Sequence, residues 1–260
     1  MAQTLKHIDA GGIQVEALYN RCAASDTPAQ RQAKRNTSSE ALRRMNQIHS
    51  YQKFELMLAV NFPRAGNALV MVLTFDDAHM PKSRKEAQRR FKYFLKRLRE
   101  AYRAAGLPEP VVFWSPECLT SATGRWHFHV VMSNTGRDLD LVRRCWIYGS
   151  DIEAEKLRVD AEKNHETLAK YMTKELRECQ EYDARPGLHG WSYTRNAKKP
   201  ETWTITVPDD FQLEPPEGCA VLLDESKTTE FARYRVIKYR FGGGAFHRPP
   251  HAKRRRTRRE

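Results

Sequence analysis

A chain of 260 residues carries 45 Lys and Arg against 32 Asp and Glu, a net charge of +13. Five Trp, eleven Phe and ten Tyr provide enough large apolar surface for a packed core, which excludes wholesale disorder. The longest apolar run, Ala68 to Leu73, falls far short of the roughly 18–20 residues that span a bilayer, so no membrane association is expected.

Residues 1 to about 35 are polar without a clear period and read as a poorly ordered arm. Met1 to Glu16 shows no basic start followed by an apolar stretch, so no secretory signal is expected. Ser38 or Ser39 can cap a helix running through Ala41, Leu42, Met45 and Ile48. Ala68 to Phe75 is nearly continuous apolar and reads as a buried central strand. Lys82 to Ala105 predicts an amphipathic helix, with Ala87, Phe91, Phe94, Leu95, Leu98, Tyr102 and Ala105 on one face. Gly106 and Pro108 end it. Val111 to Trp114 and Arg125 to Ser133 read as strands joined through a turn over Ser121 to Gly124. Leu139 to Trp146 and Ala161 to Cys179 read as helices, the second with Leu168, Met172, Leu176 and Cys179 on one face. Trp191 to Arg195 and Thr202 to Val207 read as strands. Asp209 to Gly218 reads as an acidic linker, and Gly242 to Gly244 as a hinge. This order predicts an α+β fold: a central antiparallel sheet with flanking helices.

The charge excess is concentrated. Lys82 to Arg103 holds ten bases against two acids, and Lys227 to the end holds twelve against two. Clustered cations suit a phosphate backbone, because each neutralised phosphate releases counterions. The tail cations Lys253, Arg254, Arg255, Arg256, Arg258 and Arg259, with Arg125 and Arg195, are the candidate DNA-binding residues. A solvated, self-repelling tail is the alternative. Cys22, Cys118, Cys145, Cys179 and Cys219 are widely spaced and form no Cys-x-x-Cys pair, which points to a reducing compartment.

Arg125-Trp-His-Phe-His-Val-Val-Met132 carries the chemistry. In a strand, Trp126, Phe128, Val130 and Met132 face the core, and His127 and His129 stand together on the opposite face. Two imidazoles so placed can share one metal ion. Glu117, at the end of the preceding strand, can supply a carboxylate through the hairpin, a ligand set suited to a divalent ion such as Mn²⁺. In Leu168-Ala-Lys-Tyr-Met-Thr-Lys174, Tyr171 and Lys174 share a helix face. A tyrosine hydroxyl is a weak nucleophile unless a metal polarises the phosphoryl group and a cation offsets the developing charge; Lys174 can be that cation.

Leu73-Thr74-Phe75, then Glu117, His127-Phe-His129 and Tyr171-Met-Thr-Lys174 together resemble, in kind and order, the motifs of the HUH superfamily of single-strand DNA endonucleases. The resemblance is to the rolling-circle replication initiators, the Rep proteins of bacterial plasmids and phages, and covers roughly residues 36 to 207. It implies an endonuclease domain over residues 51–208, after an N-terminal arm and short helix (1–50) and before an acidic linker and C-terminal segment (209–246) and a basic tail (247–260). It further implies Mg²⁺ or Mn²⁺ held by Glu117, His127 and His129, with Tyr171 attacking a phosphodiester of single-stranded origin DNA. The product would be a 5′-phosphotyrosine link and a free 3′-hydroxyl, and later rejoining would close a circle. The chain holds no Gly-x-x-x-x-Gly-Lys-Ser/Thr sequence, so the resemblance leaves unwinding to a host helicase and synthesis to a host polymerase. It favours a bacterial cytoplasm, with a host nucleus as the alternative.

Other readings compete. A transposase or relaxase of the same superfamily shares the site but not the expected chain length or third histidine. A non-catalytic single-strand binding module explains charge and aromatics and leaves the histidines, Glu117 and Tyr171 to chance. A two-His, one-carboxylate oxygenase leaves the basic helix unexplained.

Overall fold

A computed structural model describes residues 3–20, 40–118, 124–160, 164–174, 190–228 and 233–241. The chain divides into two compact units, one of residues 1–22 with 202–260 and one of residues 23–201. The fold is α+β, with two antiparallel sheets and flanking helices. Among the described residues no helix is long and apolar enough to cross a membrane.

The larger unit is built on a sheet of strands β3 (Ala68–Thr74), β4 (Val112–Glu117), β5 (His127–Ser133), β6 (Ile152–Lys156) and β7 (Ser192–Tyr193), in the order β6-β3-β5-β4-β7. Both faces are covered, which is why β3 is nearly continuous apolar. On one face lie helices α2 (Arg84–Ala104) and α3 (Asp138–Cys145). Ser83 caps α2, its hydroxyl accepting from the Glu86 amide, and the predicted apolar stripe from Ala87 to Tyr102 is buried. It packs on Leu69, Met71, Leu73, Phe128, Val130 and Met132, and Phe91 stacks on Phe128 at 4.3 Å between ring centroids. The opposite face carries helices α1 (Glu40–Asn61) and α4 (Glu166–Met172). Phe54, Met57, Leu58 and Phe62 from the end of α1, with Ala169 and Met172 of α4, cover Ala68, Phe113 and Val131.

Helix α1 runs far beyond Ile48, and its predicted caps Ser38 and Ser39 lie outside the described residues. Helix α4 is shorter than the predicted span of Ala161 to Cys179. Asp160 and Asn164 exchange backbone hydrogen bonds at 3.1 and 3.0 Å, and Asn164 adopts a left-handed φ of 52°. No α-helix continues through that conformation, so α4 starts only after it. Leu176 and Cys179 lie outside the described residues. Strand β6 was not anticipated: its Glu153, Ala154, Glu155 and Lys156 are exposed, because it pairs with β3 at the sheet edge.

The second unit is a sheet of β1 (Gln3–Asp9), β2 (Gln14–Asn20), β8 (Glu201–Val207), β9 (Cys219–Thr228) and β10 (Arg233–Phe241), ordered β8-β1-β2-β10-β9. This corrects two expectations. The N-terminal segment, read as a poorly ordered arm, is a β-hairpin over residues 3–20, turning at Gly11-Gly12 with Gly11 at φ 75°. The region after Asp209, read as linker, contains β9 and β10. Strand β8, taken with the central sheet, belongs to this one and shows the predicted alternation, with Thr202, Thr204 and Thr206 exposed. Polar burial hid the hairpin. His7 is buried, with Nδ1 2.8 Å from Glu16, Nε2 2.6 Å from the Gln14 amide oxygen and its ring stacked on Trp203. The Gly242 to Gly244 hinge and the basic tail lie outside the described residues.

His165 ties α4 to the end of α1. Its Nε2–H donates to the Phe62 carbonyl at 3.0 Å, while its Nδ1 is buried without a hydrogen-bond partner. Burial pushes its pKa down to about 4. The unfolded imidazole takes up its proton near the ordinary value of about 6.5, before the folded one does. This contribution is therefore complete above about pH 6.5 and is lost as the pH falls towards 4, up to about 3 kcal/mol in all. Urea unfolding at pH 7 and pH 4.5 checks it. His165→Gln, which keeps a donor for Phe62 but does not titrate, should flatten the pH dependence; an unchanged profile would assign it elsewhere.

Candidate metal centre

The residues on the α1/α4 face of the sheet change character along the strands. Phe113 and Val131 sit beneath Phe54 and Phe62, with the Phe54 and Phe62 rings 5.9 and 5.8 Å from Phe113. One pleat on, Ser115 pairs with His129, and one further, Glu117 pairs with His127. Because side chains alternate, His127 and His129 share this face while Phe128, Val130 and Met132 anchor the strand on the other. The predicted hairpin thus brings the carboxylate to both imidazoles.

Glu117 Oε2 lies 2.6 Å from His129 Nε2 and 3.6 Å from His127 Nε2, and the two Nε2 atoms are 3.3 Å apart. Three ligand atoms converge on one point, as donors around a single divalent ion do: neighbouring oxygens at metal distances of roughly 2.1 Å lie about 3 Å from one another. The tautomers fit as well. The Nδ1–H of His127 donates to the Arg125 carbonyl at 3.0 Å, which turns Nε2 towards the centre as a lone pair. Glu117, His127 and His129 can therefore hold a metal ion.

The electrostatics follow from burial and contact. Burial acts to raise the Glu117 carboxyl, but hydrogen bonds from His127, His129 and Lys174 outweigh it and hold the group far below the usual carboxylate range. Burial lowers the pKa of His129 and leaves it neutral, as a ligand must be. At His127 burial acts the same way, yet the Glu117 carboxylate and the Arg125 carbonyl prevail and raise it.

Helix α4 brings the second element to the same place. The Tyr171 ring meets His129 edge to face, with centroids 4.8 Å apart, and is 47% exposed. Thr173 and Met172 are buried, so the helix turns Tyr171 outwards over the sheet face. Lys174 Nζ bonds Glu117 Oε1 at 2.8 Å and lies 4.8 Å from the centre of the Tyr171 ring. All five residues predicted for metal and chemistry are thus assembled from β4, β5 and the end of α4.

The predicted DNA-binding residues are not gathered there. The Arg125 guanidinium pairs with Asp77 at 2.6 Å and donates to the Phe75 carbonyl at 3.0 Å, bracing β5 against the turn after β3. Its backbone carbonyl, which sequence reasoning missed, orients His127; no residue type marks such a role, and only strand register reveals it. Arg195 is exposed in the turn after β7. That strand runs antiparallel to β4, so Arg195 falls towards the start of β4, away from Glu117. Lys253, Arg254, Arg255, Arg256, Arg258 and Arg259 lie outside the described residues.

Residues 68–176 match the family model described as replication-associated protein ORF2. The matched segment starts at β3 and contains Glu117, His127, His129, Tyr171 and Lys174. It supports a Rep-type protein with a part in DNA replication. No curated protein and no solved structure matches the chain.

Proposed function

We propose that this protein initiates rolling-circle replication by nicking single-stranded origin DNA with Tyr171 and later rejoining the strand. One observation carries the reading: an accessible tyrosine hydroxyl stands beside a buried two-histidine, one-carboxylate centre, and a lysine bonded to the carboxylate lies against the tyrosine ring. The replication-associated family match over the same residues supports it.

Glu117, His127 and His129 would hold Mg²⁺ or Mn²⁺, and the bound ion would supply Lewis acidity at a phosphoryl oxygen. The protein's own residues do the rest. The Tyr171 oxygen gives up its proton to solvent and forms a bond to phosphorus, while the bond from phosphorus to the 3′-oxygen breaks. That oxygen takes a proton from solvent and leaves as a 3′-hydroxyl, and the 5′-phosphate stays on Tyr171. Rejoining reverses the exchange with an incoming 3′-hydroxyl, so bonds are traded without external energy. Lys174 is a positioning residue as well as a charge. Its ammonium holds Glu117 Oε1, which leaves Oε2 directed at the histidines. The tail cations supply sequence-independent affinity for phosphates, and unwinding and synthesis fall to host proteins.

The test is a denaturing gel of the protein with a labelled single-stranded origin oligonucleotide. A covalent band should form with Mn²⁺ and vanish with chelator. Metal-dependent cutting without any covalent species would make water the nucleophile and overturn the assignment of Tyr171. A non-catalytic binding module would give neither product.

A further inference from the structure

Helix α2 lies on the sheet face opposite the metal centre, and its outer surface has an order that the nicking chemistry does not use. The helix from Arg84 to Ala104 contains nine Lys and Arg against two Glu. Three of those cations are engaged close to the body of the domain. Arg90 pairs with Glu86 at 2.8 Å, Arg97 donates to the Cys145 carbonyl at 3.1 Å, and Arg99 pairs with Glu109 at 2.7 Å. Lys85, Arg89, Lys92, Lys96 and Arg103 are exposed. At about 100° per residue these five fall within an arc of about 60°, on the side away from Phe91, Phe94, Leu98 and Tyr102. At ~1.5 Å rise per residue the stripe is about 27 Å long and straight.

Within it, Lys85 and Arg89, Arg89 and Lys92, and Lys92 and Lys96 are successive like-charge neighbours at three- and four-residue spacing, each unfavourable for an isolated helix. Glu100, exposed at the margin beside Lys96 and Arg103, is the one acid of the helix close to the row. A polyanion laid along the helix turns that repulsion into attraction. Aromatic rings on which unpaired bases stack are nearly lacking on the helix: Tyr93, 56% exposed, stands alone at the edge of the stripe. A row of cations without a stacking platform fits phosphates and not bases. Its length corresponds to about eight base pairs of a duplex, at ~3.4 Å per pair.

We infer that the outer face of α2 binds the phosphate backbone of double-stranded DNA, on the opposite side of the sheet from the site that takes the single strand. The choice of DNA as partner rests on the proposed nicking function; the preference for a duplex rests on the helix surface. The protein would then grip paired origin DNA with one face and act on unpaired DNA with the other.

The variant Lys85→Gln/Arg89→Gln/Lys92→Gln/Lys96→Gln keeps good helix formers at exposed positions, and its folding can be checked by circular dichroism. Binding of the full chain to a 20-base-pair duplex and to a 20-nucleotide single strand is measured by fluorescence anisotropy between 50 and 300 mM KCl. Removing four phosphate contacts should lower the slope of log K against log salt by about 3 to 4 for the duplex. Single-strand affinity should change much less. Covalent adduct formation on a short single-stranded oligonucleotide should stay within about twofold of wild type. An unchanged duplex slope overturns the inference, and so does an equal loss for single strand and duplex, which would make the stripe a general polyanion surface. If neither protein forms an adduct, the nicking reading fails while the duplex slope still decides the stripe.

Discussion

Tyr171→Phe is expected to abolish the covalent protein–DNA species while leaving the fold and DNA binding intact. The change deletes one oxygen from a ring that keeps its edge-to-face contact with His129 and its place beside Lys174. Since Tyr171 is 47% exposed, losing its hydroxyl opens no cavity in a core. Where an attacking group has been deleted from an enzyme, turnover falls by up to about 10⁶-fold, so any residual adduct should sit at the detection limit of the gel. Unfolding midpoints and anisotropy with single-stranded DNA should match wild type. A covalent band of wild-type intensity in the Phe protein would move the nucleophile to another residue.

Glu117→Gln should have the next largest effect and a different signature. The amide keeps the shape of the side chain but removes the charge that Lys174, His127 and His129 surround. It also presents hydrogens where oxygens met three partners. Changing groups that merely support a metal ligand costs roughly 10–100-fold in affinity, so losing the ligand itself should cost at least about 100-fold. Mn²⁺ titration followed by electron paramagnetic resonance reads this without any reaction. Adduct yield should fall in parallel and recover partly at high Mn²⁺. Equal Mn²⁺ affinity in both proteins would remove Glu117 from the centre, whatever the activity.

The centre was legible in the sequence because strand alternation is strict. Once Phe128, Val130 and Met132 are assigned to the core, His127 and His129 have only one face to occupy, and the short hairpin leaves Glu117 opposite His127. Tyr171 and Lys174 were legible from helical spacing, but the Lys174–Glu117 bond was not: it depends on where α4 crosses the sheet, which the local pattern does not encode. Helix α2 was visible in full because its apolar stripe is uninterrupted. Strand β6 was not, because an exposed edge strand of Glu and Lys has no hydrophobic period to show. In β10, Ile237, Lys238 and Tyr239 are buried in succession, and a register shift between Lys238 and Tyr239 breaks the alternation that would have marked a strand. For β1 and β2 the signal was present and underweighted. Gly11-Gly12 is a strong turn sequence, but the buried positions beside it include His7, Gln14 and Glu16, which read as surface.

Strands β2 and β10 are hydrogen-bonded neighbours, with Tyr19 against Tyr234, although the whole of residues 23–201 is threaded between them. On the ribosome the β1–β2 hairpin emerges first and keeps an open edge until nearly all of the chain has been made. The helices and sheet that carry the metal centre close among themselves in the meantime, through contacts of far shorter sequence separation. The catalytic unit can thus be complete before the sheet built from the two ends of the chain exists. A nascent chain stalled late in synthesis would then already hold its metal ligands in place, with an unpaired strand edge as its exposed hazard.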